Sequence, residues 1–347
     1  MKFSNASPLG LVLCITVLLS GACSSHRIIP TSPSASAQMN TPAQQPVNVE
    51  PKQLNTPTPA PTLLPFTGKI AFLGGRGNWV RLYVMNANGT GLTEITPLNL
   101  LWISGVSWSP GAQYIAFEAI TDPHKPIHQI YKINADGSDL KQITSGQQSS
   151  RDPSWSPDGK NIIFAHENTN IQNKFGWYPE ELDIMKSDGT EVRKLVDDVT
   201  AYSFRSDGSI SVSIPATRDL TKTYIINSEG AVQDQLPNFP NRLIPEWSPD
   251  GKTIVSSDIY RTGCCTDCSG IIVMKSDGSD EVCLKIEGIT PPTEAGGAKW
   301  SPDGKYIIFS ANPGGKSSIY LVKPDGTDLI QLVNLEDVGE AVWSAGQ

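Results

Sequence analysis

No cluster of lysines or arginines occurs in the 347 residues, and acidic residues outnumber basic ones 35 to 27, for a net charge of −8. Nucleic-acid backbones are neutralised by clustered cations, so nucleic acid is excluded as a partner. The apolar stretch LGLVLCITVLL at 9–19 is well short of the ~20 residues that a spanning helix needs. Beyond Lys69 no ten-residue segment has the spacing of an amphipathic helix, which excludes helical and mixed folds. Histidine occurs only four times, at His26, His124, His128 and His166, so imidazole chemistry has few places to be. A Gly-x-Ser-x-Gly elbow is also missing.

What the N-terminus does have is an export signal. Lys2 supplies a positive charge, the 9–19 stretch an apolar core, and LSGAC at 19–23 a small-residue cleavage site. LSGAC resembles the lipobox of bacterial lipoproteins, with Ser20 where leucine is usual and Leu19 one place earlier. The resemblance implies removal of residues 1–22 and diacylation of Cys23. Residues 23–65 then form a tether, TSPSASAQMNTPAQQPVNVEPKQLNTPTPAPTLLP in its main part. Such Pro-, Thr- and Ser-rich composition buries too little surface to offset chain entropy, and its prolines keep it extended. At ~3 Å per residue it spans on the order of 100 Å. The expected product is an exported lipoprotein facing the periplasm or the cell exterior, attached to the membrane through the lipid alone.

Residues 66–347 repeat two phrases. The first is WSPDG, at Trp155, Trp247 and Trp300, with WSPG at Trp108 and degenerate copies at Phe204 (FRSDG) and Trp343 (WSAGQ). The second is an apolar run and a polar glycine turn, as in IYKINADGSDLKQIT and IYLVKPDGTDLIQLV. Each occurs six times, and the aromatic residues recur at intervals of 43 to 53 residues. A period of that size signals a propeller or a solenoid. Pro presets φ for a turn, Gly accepts a left-handed conformation, and β-rich runs such as KNIIFAH and KYIIFSA follow. Each unit is thus four antiparallel strands.

WSPDGK-x-I-x-F followed by IY-x-x-x-x-DG resembles the TolB-type, WD-repeat-like β-propeller over residues 69–347. The resemblance implies an all-β, six-bladed β-propeller of four-stranded antiparallel blades. It says less about function, since propellers host unrelated activities; the α/β domain that precedes the TolB propeller is replaced here by the tether. GKIAFLG (68–74) reads as a second strand without a first, and GEAVWSAGQ (339–347) as a first strand without a second. The ring is therefore expected to close by one C-terminal strand joining three N-terminal strands, leaving no open sheet edge.

In such a blade the SPDG and DG turns share one face of the disc, and the variable loops share the other, where binding is expected. Candidate ligand-face residues are Arg76, Trp79, Trp102, Arg151, Phe175, Trp177, Tyr178, Arg218, Arg242 and Arg261. Trp, Tyr and Arg are enriched at interface hot spots, and aromatic faces also suit sugars; a packing role over the disc remains open for each. Cys264, Cys265, Cys268 and Cys283 form an even set that reads as disulfides, with three connectivities open. CCTDC lacks the paired knuckles of a zinc site, and Pro123 and Pro126 keep His124 and His128 off a helix. No metal or cofactor is expected. Propeller-bearing peptidases carry a hydrolase domain after the propeller, and this sequence ends inside the ring. The expectation is a monomeric, non-catalytic module that binds an envelope or extracellular protein, or a glycan. The alternatives are a propeller lyase or hydrolase acting on polysaccharide, with His166 and Glu167 as its acid–base candidates, and a TolB-like envelope assembly factor.

Overall fold

The computed structural model describes residues 66–75, 77–168, 180–216, 221–236, 245–257, 269–289, 295–333, 335 and 337–344. Apart from two single-turn 3-10 helices, Gly77–Trp79 and Pro313–Gly315, their regular structure is β-strand. Six four-stranded antiparallel sheets make the blades of a six-bladed β-propeller. Blade 1 is Val338–Trp343, Lys69–Gly74, Arg81–Asn86 and Thr93–Glu94. Blade 2 is Leu101–Trp108, Tyr114–Ile120, Gln129–Asn134 and Lys141–Gln142. Blade 3 is Ser150–Trp155, Asn161–Glu167, Glu180–Lys186 and Arg193–Val199. Blade 4 is Ala201–Phe204, Ile210–Pro215, Thr221–Ile226 and Val232–Leu236. Blade 5 is Glu246–Trp247, Thr253–Ser257, Ile271–Lys275 and Val282–Cys283. Blade 6 is Ala295–Trp300, Ile307–Ala311, Ser318–Val322 and Ile330–Val333. The first strand of each blade touches those of both neighbours, so the six first strands line the axis.

The repeated WSPDG is a corner closed by its own side chains. In blade 3 the Ser156 amide donates to Asn161 O, and the Ser156 hydroxyl accepts the Asn161 N–H at 3.0 Å. That hydroxyl also donates to Asp158 Oδ1 at 2.7 Å, which in turn accepts the Lys160 N–H. These two contacts, the hydroxyl first, hold the Asp158 carboxyl down at about 2. The same bonds recur around Ser248 with Asp250 and around Ser301 with Asp303. The tryptophan is the wedge between blades: Trp108 Nε1 donates to Val342 O of blade 1, and Trp300 Nε1 to Glu246 O of blade 5.

The second turn, DG followed by Ser or Thr, closes in a related way. Asp188 Oδ1 accepts both the amide and the hydroxyl of Thr190; Asp136, Asp277 and Asp325 repeat the arrangement, and Asp207 uses it at the degenerate first corner of blade 4. Its glycine has a second duty. Gly189 (φ +90°) sits where a Cβ would lie 2.6 Å from the Ile143 carbonyl of the preceding blade, and Gly326 (φ +85°) meets Lys285 O equally closely. Only glycine supplies both the left-handed backbone and this approach.

Between the sheets lie buried phenylalanines, one per second strand in four blades: Phe72, Phe117, Phe164 and Phe309. Three of them stack on the third-strand tyrosines Tyr83, Tyr131 and Tyr320 at 5.5, 5.8 and 5.7 Å. The seam forms as expected from the sequence. Ile70, Ala71 and Phe72 pair with Trp343, Val342 and Ala341, and Lys69 N donates to Ser344 Oγ at 2.8 Å. Phe66 packs edge-on against Tyr306 and Trp343, and Trp343 Nε1 donates to Thr67 O. Phe66 thus lies on the face of the SPDG turns.

Candidate functional site

Two regions could hold a ligand: the loop face and the axial channel. On the loop face Gly75 turns the chain at φ +104°, tied to Asp337 O, and a 3-10 turn ends at Trp79. Trp79 is 74% exposed, and Leu98, in the connection to blade 2, is 79% exposed. The 3-10 turn packs on the first strand of blade 2, whose second residue, Trp102, is 37% exposed with φ +49°. A left-handed backbone is strained for so bulky a side chain. The Trp102 ring lies 6.5 Å from His128, and His128 Nδ1 lies 3.4 Å from buried Glu118.

Of the candidates from sequence, the structure brings Trp79 and Trp102 to neighbouring elements of one face. Trp102 and Arg151 prove to be strand residues at the loop-face ends of the first strands of blades 2 and 3, not loop residues. The reason is that these strands begin earlier than their alternation suggests, because each is interrupted by a bulge. Arg76, Phe175, Trp177, Tyr178, Arg218, Arg242, Arg261 and Cys23 lie outside the described residues, as do Cys264, Cys265 and Cys268. Cys283 is disulfide-bonded. His166 pairs with Asp183 through Nδ1 at 3.1 Å, not with Glu167. No group of three metal-ligating side chains occurs among the described residues.

The channel holds residues that sequence reasoning did not single out. A cavity of about 430 Å³ follows the axis from Glu180 near the loop face to Pro249 and Pro302 of the SPDG turns. Among the described residues its walls carry Asp152, Glu180, Glu246 and Glu340 against one cation, Lys299, which is paired with Glu246. Two carboxylates staple neighbouring blades: Glu118 Oε2 accepts the Asp152 N–H at 2.8 Å, and Glu340 Oε2 accepts the Val106 N–H at 3.2 Å. Glu118 stays below the usual range despite its burial, because His128 stands beside it and the Ser104 hydroxyl and the Asp152 amide donate to it. Burial raises Glu340 and Glu180. Asp152 is pushed up to about 7 by burial and by Glu118, Glu340 and Glu180. The repeat register could have revealed these groups: Asp152 and Glu340 stand three residues before the corner tryptophan, Glu246 and Lys299 one before it.

No family profile matches the chain. It is 29% identical over 118 residues to dipeptidyl-peptidase 5 of Porphyromonas endodontalis, covering 32% of this chain and 16% of that one. It is also 29% identical over 187 residues to an uncharacterized peptidase, YuxL, of Bacillus subtilis, covering 53% and 24%. The chain thus spans less than a quarter of either relative. Among solved structures, TolB from Acinetobacter baumannii superposes with a TM-score of 0.64 at 18% identity, over 80% of this chain and 66% of that one. Oligogalacturonate lyase from Vibrio parahaemolyticus gives 0.51 at 15% identity, over 72% and 73%. At these identities the likeness is one of fold, and the class is a six-bladed propeller of TolB-like structure.

Proposed function

We propose that this is an exported, lipid-anchored binding protein whose propeller holds a protein or glycan on its loop face and does no chemistry. The observation that carries the reading is the opposition of the two faces. Phe66 lies on the turn face, and the other face carries Trp79, Leu98 and Trp102. Exposed tryptophans next to a rigid scaffold are the kind of anchor that dominates binding energy. Export and anchoring rest on the LSGAC segment and Cys23, and mass spectrometry of the membrane fraction should find lipidated Cys23 as the first residue.

The test of binding is affinity capture from envelope extract, with soluble glycans tried in parallel. The full chain is compared with a Trp79→Ala/Trp102→Ala variant of unchanged melting temperature. Capture by the first and not by the second supports the reading. Equal capture by both refutes the loop face as the binding surface. Depolymerisation of a polysaccharide by the wild-type chain would replace binding with catalysis.

A further inference from the structure

In blades 1, 2, 3 and 6 the second strand sets a buried phenylalanine against the preceding blade: Phe72, Phe117, Phe164 and Phe309. Phe164 and Phe309 stand four residues past the lysine of WSPDGK, and in blade 5 that place belongs to Ser256. Blade 4 has Val212 there, buried in an apolar cluster that blades 3 and 4 share. Ser256 is 1% exposed, and its hydroxyl has no hydrogen-bond partner among the described residues.

The facing side of blade 4 is of the same kind. Strand alternation turns Ser211 and Ser213 toward blade 5, with Ser203 and Thr223 paired beside them, and all four are buried. To the apolar cluster at this joint blade 4 adds buried Ile225 and half-buried Leu236, against Trp247, Ile254, Ile272 and Met274 of blade 5. At the joint of blades 1 and 2, blade 1 supplies Ala71, Leu73, Leu82 and Val84. Two of the bonds between blades 4 and 5 involve serine hydroxyls: Ser203 Oγ donates to Pro245 O, and Trp247 Nε1 donates to Ser211 Oγ at 2.9 Å. When such a joint opens, water replaces the hydroxyl bonds, whereas burial of an apolar contact is lost outright. Opening also gives the Ser256 hydroxyl the partner it lacks.

We propose that the ring opens between blades 4 and 5, at this serine-lined joint, and not beside its seam. Next to the seam, blades 6 and 1 close on Phe72, Ile308, Ile319 and Leu321, with Phe66 and Trp343 packed against them. Opening between blades 4 and 5 reaches the axial cavity, whose wall has Ala201 and Tyr202 on one side of the joint and Glu246, Trp247 and Pro249 on the other.

Exchange of the indole N–H protons, followed by NMR on the full chain, tests it. Trp108 Nε1 bonds across the joint of blades 1 and 2, and Trp247 Nε1 across that of blades 4 and 5. The two residues are 9% and 8% exposed, so each indole reports the opening of its own joint. Trp247 should exchange about tenfold faster than Trp108. Ser256→Ala removes the hydroxyl at nearly constant shape, and it should slow Trp247 about fivefold while leaving Trp108 unchanged. Equal exchange at the two indoles, or a Ser256→Ala chain in which Trp247 is not selectively slowed, overturns the proposal. Neither result depends on whether the loop face binds anything.

Discussion

The two faces of the disc use the same chain to opposite ends. On the turn face the repeated corners are closed by local bonds: Ser156 with Asp158 and Asn161, Ser248 with Asp250 and Thr253, Asp188 with Thr190. Those bonds are made within six residues, so they repeat whenever the residues repeat, and the turns stay short and alike. The loop face shares no such motif. Its connections differ in length and composition from blade to blade, and exposed tryptophans stand on it. Rigidity is built into one face, which leaves the other free to vary without loss of fold.

Removing 338–347 should have the largest effect on that division, because it takes the axial strand of blade 1 and opens the ring. Loss of a cooperative thermal transition is expected; a melting temperature like that of the intact chain would mean that the seam is dispensable. Gly189→Ala should come next. It strains φ +90° and drives a Cβ to 2.6 Å from a backbone carbonyl, so denaturant unfolding should show a loss of at least ~2 kcal/mol. Ser248→Ala deletes one buried hydroxyl that serves two bonds, and a loss of about 1–2 kcal/mol is expected from the same measurement. Trp79→Ala, on the loop face, should change stability by less than about 0.5 kcal/mol while weakening whatever the face binds. A large loss of stability there would make Trp79 a packing residue and erase the contrast between faces.

The turn face was legible in the sequence for the same reason that it is uniform. WSPDG and DG-Ser/Thr encode their own hydrogen bonds, so the six units and the shared blade could be read from spacing alone. The loop face was less so. Trp102 and Arg151 stand in strands that Gly105 and Asp152 interrupt with bulges, and a bulge breaks the alternation by which strands are recognised. The residues that line the channel were not singled out. Glu118, Asp152, Glu340 and Lys299 come from four blades and meet only when the ring is closed; the trace this leaves in the sequence is the fixed offset of Asp152, Glu340 and Lys299 from the corner tryptophan. The DG motif does not reveal that Gly189 is also needed for its contact with Ile143 of another blade.

The seam bears on when folding can finish. The bond between Lys69 N and Ser344 Oγ joins residues 275 positions apart, so blade 1 stays incomplete until residue 344 has left the ribosome. Long-range closure of this kind is slow to form. For a chain exported as proposed above, that delay would work as a timer: the ring stays open, and threadable, until Ser344 has been made.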